Sequence, residues 1–165
     1  MLRQLSIRDV VLIDRLELNF DTGLGVLTGE TGAGKSILLD SLGLALGMRA
    51  DTGLIRPGAD QAIVAATFDV APDHPANDLL TEHGLDVDEG CILLRRIIGR
   101  DGRSRAFVND QPATAGLLRQ IGEHLVEIQG QFERFALAAP AVQRAALDLF
   151  GNLTAKATEV STLFS

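Results

Sequence analysis

Three glycines, a lysine and a serine stand at fixed spacing in Gly29-Glu30-Thr31-Gly32-Ala33-Gly34-Lys35-Ser36, which fits G-x-x-x-x-G-K-[ST] at every fixed position. The chemistry of that pattern is phosphate capture. Glycines let backbone N–H groups turn inward on phosphate oxygens, Lys35 brings a mobile point charge to the outer phosphates, and the Ser36 hydroxyl can ligate Mg²⁺. Lys35 and Lys156 are the only lysines, every other basic side chain being arginine. A chain that otherwise uses arginine thus places a compact ammonium where a planar guanidinium would be too bulky.

Such a loop must be entered and left by regular elements. Leu24-Gly25-Val26-Leu27-Thr28 reads as a short buried strand running into it, and residues 37–46 read as an apolar-faced helix leaving it. The phosphates are then expected on a helix N-terminus, where N–H groups and the helix dipole favour anions.

At 165 residues and 46% hydrophobic, the chain can build one domain-sized core, and no run is long and apolar enough to cross a bilayer. The start, Met1-Leu2-Arg3-Gln4-Leu5, lacks the pattern of a secretion signal, and Cys91 is the single cysteine. A cytoplasmic protein without an internal disulfide is expected. A net charge of -7 excludes a uniformly basic surface but leaves room for a local patch. His74, His83 and His124 share no metal-ligand spacing with one another or with Cys91, so no zinc site is expected.

Along the chain, residues 2–7 and 12–18 read as two strands joined near Asp9, followed by the loop strand and its helix. Residues 49–60 read as an irregular loop, 62–70 as a strand and 75–83 as a short helix within an acidic stretch. Residues 112–122 read as helical and 124–128 as a short strand. Beyond Pro140, Val142, Ala146, Leu149, Leu153, Val160 and Leu163 follow the spacing of a helix seam that Gly151-Asn152 interrupts. Two helices meeting there, the second opening a longer coiled coil, are expected; a single amphipathic helix packed on its own domain is the alternative.

Residues 91–98 and 105–108 flank Asp101-Gly102, a dipeptide favoured in two-residue hairpin turns. With that turn, Arg100 faces Arg103, Ile98 faces Arg105 and Arg96 faces Phe107. Strand alternation then puts Arg96, Arg100, Arg103 and Arg105 on one face, while Ile97, Ala106 and Val108, together with Arg95, fall on the other. Four arginines on one face suit the sequence-independent, salt-dependent contact that DNA phosphates offer. The other reading is a solvated face paired with the acidic residues between 69 and 89.

The run from Phe20 through the phosphate loop to Ile37-Leu38-Leu39-Asp40-Ser41-Leu42 resembles the N-terminal head segment of the RecN family of bacterial DNA repair proteins, SMC-like ATPases. Leu5-Ser6-Ile7-Arg8-Asp9-Val10-Val11-Leu12-Ile13-Asp14 looks like that family's first strand pair. Leu125-Val126-Glu127-Ile128-Gln129-Gly130-Gln131-Phe132-Glu133 is similar to its I-H-G-Q-H-E segment, with Gln129 and Phe132 replacing the histidines. Their roles do not transfer. The resemblance makes Gln131 the glutamine-loop residue that reaches Mg²⁺ and the attacking water. Arg56, in Leu54-Ile55-Arg56-Pro57-Gly58, is similar to an SMC arginine that couples DNA to ATP use.

The resemblance implies an α/β P-loop fold of ABC/SMC head type, in which a central sheet surrounds the phosphate-loop helix beside an antiparallel flank. Residues 1–138 would form the N-terminal lobe of an ATPase head, and 139–165 the helices leading to a coiled-coil root. Neither a Leu-Ser-Gly-Gly signature nor a Walker B strand ending in Asp-Glu occurs in the sequence. The expectation is therefore one lobe of a head that binds ATP and Mg²⁺, completed by its own C-terminal lobe, paired with a second head and acting on DNA near the nucleoid. By itself it should not turn ATP over. The nucleotide-binding subunit of a membrane transporter is the alternative, and a small-molecule kinase a third reading for which no lid or substrate residues are identifiable.

Overall fold

The computed structural model describes residues 1–28, 33–87, 90–128 and 140–163. It divides into two compact units, Met1–Ile128 and Gln129–Ser165.

In the first unit, β1 (Leu2–Val10), β2 (Ile13–Asn19), β3 (Gln61–Asp69), β4 (Cys91–Gly99), β5 (Ser104–Val108) and β6 (Gln111–Ala113) form a six-stranded sheet in the order β2-β1-β3-β4-β5-β6. Every adjacent pair is antiparallel. Helices α1 (Ala33–Ala45), α2 (Pro75–Glu82) and α3 (Ala115–Leu125) complete the unit; α1 packs on β1, β3 and β4, and α3 on β5. β3 and β4 run as strict alternation, each second residue buried, as expected of a sheet with one face on a core.

The register stacks side chains in rows across the inner face. Leu5, Ala66, Leu94 and Val108 make one row; Ile7, Val64, Arg96 and Ala106 make the next. Phe68, Ile92, Leu94, Leu118 and Ile121 have no exposed surface and form the centre of the core with α1 residues Ile37, Leu44 and Ala45.

Caps explain the helix ends. Thr114 accepts from Leu117 N–H at 3.1 Å and starts α3, and His74 Nδ1 accepts from Ala76 N–H at 3.2 Å at the start of α2. α1 ends in a Schellman motif: Gly47 N–H reaches Leu44 O at 3.1 Å and Met48 N–H reaches Gly43 O at 2.9 Å, with Gly47 at φ +86°.

Three expectations differ from what forms. Residues 24–28 make no strand, and Leu24 and Val26 are 96% and 75% exposed. Among the described residues nothing pairs with that segment, and an apolar run without a ladder does not hold strand geometry. Residues 111–113 form β6 rather than helix, because Asn109 and Asp110 both take positive φ and make the two-residue turn that returns the chain to β5. Residues 126–128 form no strand among the described residues; α3 continues to Leu125, and Val126 is extended at φ -158°.

In the second unit, α4 (Pro140–Phe150) and α5 (Thr154–Leu163) meet at Gly151-Asn152, where Asn152 adopts φ 51°. Leu147, Leu149, Phe150, Val160 and Leu163 are exposed along these helices.

Candidate functional site

The phosphate-loop residues that are described form the first turn of α1. Gly34, Lys35 and Ser36 are all exposed there, whereas Ile37, Ser41, Leu44 and Ala45, at helical spacing behind them, are buried toward the sheet. The helix is thus anchored by one face and presents the positive end of its dipole, a cation and a hydroxyl to solvent. Among the described residues, a Cβ at Gly34 would meet nothing within 4 Å. Gly29, Glu30, Thr31, Gly32 and Gln131 lie outside the described residues, as does the side chain of Ala33.

The second hairpin corrects the arginine face. Its register pairs Ile98 with Ser104, Ile97 with Arg105 and Arg96 with Ala106, one residue away from the expected alignment. The turn is a three-residue loop, closed by Gly102 N–H to Gly99 O at 3.0 Å and Gly99 N–H to Arg103 O at 2.9 Å. Only Gly102 takes positive φ there; Asp101 does not, and a two-residue type I′ turn requires it at both positions. A one-residue slip turns each side chain to the other side of the sheet relative to its partners. Arg96 therefore points inward, 4% exposed, and Arg105 points outward.

The candidate arginines accordingly separate. Arg105 shares an outer row with Ile97, Ile63 and Arg8, a neighbour that local sequence does not reveal because only the long-range pairing of β1 with β3 brings it there. Arg95, on the same outer face, lies 4.6 Å over the Phe107 ring and 2.8 Å from Asp110. Arg15 extends that row beyond Arg8, but its charge is offset by Glu17 at 2.7 Å, which pushes the Arg15 pKa up.

Arg100 and Arg56 are brought together by backbone bonds. Arg100 donates from Nε to Ala59 O and from Nη2 to Arg56 O at 3.4 Å, so it ties the hairpin tip to the Arg56 loop. Arg56 faces Asp14 at 3.5 Å and Asp9 at 3.9 Å, and its N–H donates to Asp9 O at 2.9 Å. Arg103 is largely exposed and 3.5 Å from Asp101. Among the described residues, no cluster of three His, Cys, Asp or Glu side chains could hold a metal ion, and no helix is long and apolar enough to cross a membrane.

The chain is 43% identical to the DNA repair protein RecN of Xylella fastidiosa over 92% of this chain and 27% of the relative. It is 45% identical to RecN of Haemophilus influenzae over 79% and 24%. The chain therefore spans about a quarter of the length of these curated relatives. A solved SMC ATPase, described for its ATP-driven dimerization and DNA-stimulated activation, matches with TM-score 0.60 at 25% identity over 89% of this chain and 97% of that one. The fold is that of a P-loop ATPase head of SMC type, and the sequence is similar to the N-terminal head segment of RecN. Residues 4–89, more than half of the chain, match the family described as AAA domain, and the chain belongs to that family.

Proposed function

We propose that this chain is the ATP-binding N-terminal lobe of the head of a RecN-like protein acting in DNA double-strand-break repair. The carrying observation is the first turn of α1, which holds Lys35 and Ser36 exposed at a helix N-terminus in a chain 43% identical to RecN of Xylella fastidiosa. A cation and a hydroxyl suit phosphate and one ligand position of Mg²⁺, a hard cation that takes oxygen ligands. Bound Mg²⁺–ATP would supply the γ-phosphoryl group whose transfer to water releases the free energy of the cycle. Lys35 would hold the outer phosphates, Ser36 and Gln131 would face the metal, and Gln131 would orient water. The metal's carboxylate partners and the signature surface are assigned to the protein's own C-terminal lobe.

Two surfaces support that assembly. Residues 24–28 are apolar and exposed, as suits a strand whose ladder belongs to the C-terminal lobe. Leu147, Leu149, Phe150, Val160 and Leu163 suit the root of a coiled coil. ATP would then join two such heads and hydrolysis would release them, in the cytoplasm at the nucleoid. DNA backbone is assigned to the outer row of Arg8 and Arg105 and to Arg103, with Arg56 nearby. Both of these relatives are repair proteins, which favours this reading over a transporter subunit.

Mixing the purified chain with the C-terminal head lobe tests the proposal. The chain alone should hydrolyse ATP negligibly, the mixture should turn it over, and Gln131→Ala should lower turnover more than nucleotide affinity. Robust multiple turnover by the chain alone would overturn the divided site.

A further inference from the structure

Arg96 occupies a place that the rest of its row gives to apolar side chains. Its neighbours across the inner face are Val64 and Ala106, and along β4 they are Leu94 and Ile98. The side chain is 4% exposed, and Nη2 donates to Ser104 Oγ at 2.9 Å. Among the described residues, Nε and Nη1 are buried without a partner, and no carboxylate pairs with the guanidinium. Burial lowers its pKa from the ordinary arginine value, yet a guanidinium stays protonated at neutral pH. A buried charge without a counter-charge is costly and, in a settled core, is normally replaced or paired.

The same side chain lines a groove of about 370 Å³ between β5, β6 and the start of α3. Ser104, Arg105, Pro112, Ala113 and Thr114 also line it, together with Ala115 in the first turn of α3. Thr114 caps the eleven-residue helix by accepting from Leu117 N–H, which leaves the positive end of the dipole directed at the groove. Among the described residues no acidic side chain lines it, and Arg96 brings its charge to it from the inner face, whereas the Arg105 side chain points to the other side of the sheet.

We propose that this groove is a phosphate-binding site, with Arg96 as its buried anchor, Ser104 as the hydroxyl that orients the guanidinium, and the α3 N-terminus as the second donor group. Its volume exceeds that of a free phosphate ion, so it admits a phosphate with part of its ester, and the apolar wall at Ala106 and Ala113, paired on the inner face, suits that remainder. The phosphate is either a free ion or the terminal group of a polynucleotide. None of the lining residues belongs to the phosphate loop, so this inference stands or falls separately from the ATP site.

The direct test follows the Arg96 Nε–H resonance of the Lys35→Ala chain by NMR, in which the phosphate loop is disabled. Titration with inorganic phosphate at constant ionic strength should move that resonance saturably, and Arg96→Met should lower phosphate affinity about 10- to 100-fold, the equivalent of one charge-assisted hydrogen bond. Arg96→Met must remain folded; Arg96→Lys, which keeps the charge but loses the fork, should bind with intermediate affinity. A 5′-phosphorylated oligonucleotide that moves the resonance more strongly than inorganic phosphate, where its unphosphorylated twin does nothing, assigns the polynucleotide source. Equal action by inorganic phosphate assigns the free ion. A resonance unmoved by both phosphates, or one that responds to acetate and not to phosphate, overturns the site and leaves Arg96 a buried structural charge.

Discussion

Gly47 stands directly against the first turn of α3: a Cβ added there would collide with Ala115 O and lie 2.7 Å from Arg119 N. The glycine that ends the phosphate-loop helix is therefore also a point of close approach between that helix and α3. Two constraints coincide, a positive φ of +86° and a proximity that only a missing side chain permits.

Gly47→Ala should consequently destabilise the protein by at least about 2 kcal/mol, lowering Tm by roughly 4–8 °C for a unit of this size. Gly58 provides the control, since its φ is +94° but a Cβ there meets nothing within 4 Å. Gly58→Ala should cost only about 1 kcal/mol of backbone strain. Thermal unfolding of the two variants side by side checks this, and equal losses would remove the role assigned to the α3 approach.

Phe68 is fully buried at the centre of the sheet, whereas Phe150 is 91% exposed on α4. Phe68→Ala should cost about 3–5 kcal/mol through reduced burial and the cavity left behind. Phe150→Ala should change the stability of the isolated chain by less than about 0.5 kcal/mol. Denaturant unfolding separates them; a large loss at Phe150 would mean that its exposed face is packed in solution.

The DNA assignment needs a different set of substitutions from the one that the sequence suggests. Arg100 bonds backbone carbonyls of the Arg56 loop, so replacing it would loosen the loop as well as remove charge. Arg8, Arg103 and Arg105 are exposed and can be changed to Gln with the hairpin intact. In the reassembled head with ATP, that triple variant should weaken binding to all DNA sequences about equally and reduce the salt slope by roughly one unit for each phosphate no longer neutralised. Unchanged affinity and slope in a folded variant would make the outer row a solvated face.

Local signals in the sequence account for much of the fold. The alternation of β3 and β4, the short helix opened by Pro75 and the glycine stop at Gly47 each appear where their residues dictate. The hairpin register is not legible in the same way, because Asp101-Gly102 serves equally in a two-residue turn and as the end of a three-residue loop. The choice rests on the φ of one residue, Asp101, and on pairing with β3 that local sequence does not encode. That single step decides whether Arg96 lies outside with Arg105 or inside among Val64, Leu94 and Ile98. Pro112 is ambiguous in a similar way: it can open a helix or sit on an edge strand, and β6 uses it in the second role. The strand expected at 24–28 fails for a different reason, since a strand depends on its partner and the segment itself carries no information about whether one is present.

The phosphate-loop claim is tested most directly by ATP affinity in the chain and in Lys35→Ala, measured by calorimetry alongside thermal melting. Lys35 is exposed on the first turn of α1, so its removal should leave Tm within about 1–2 °C of the unmodified chain. ATP affinity should fall at least about tenfold, as expected when a charge-assisted hydrogen bond to phosphate is removed. Unchanged ATP affinity in a folded Lys35→Ala chain, or no ATP binding by the unmodified chain at any accessible concentration, would contradict the account.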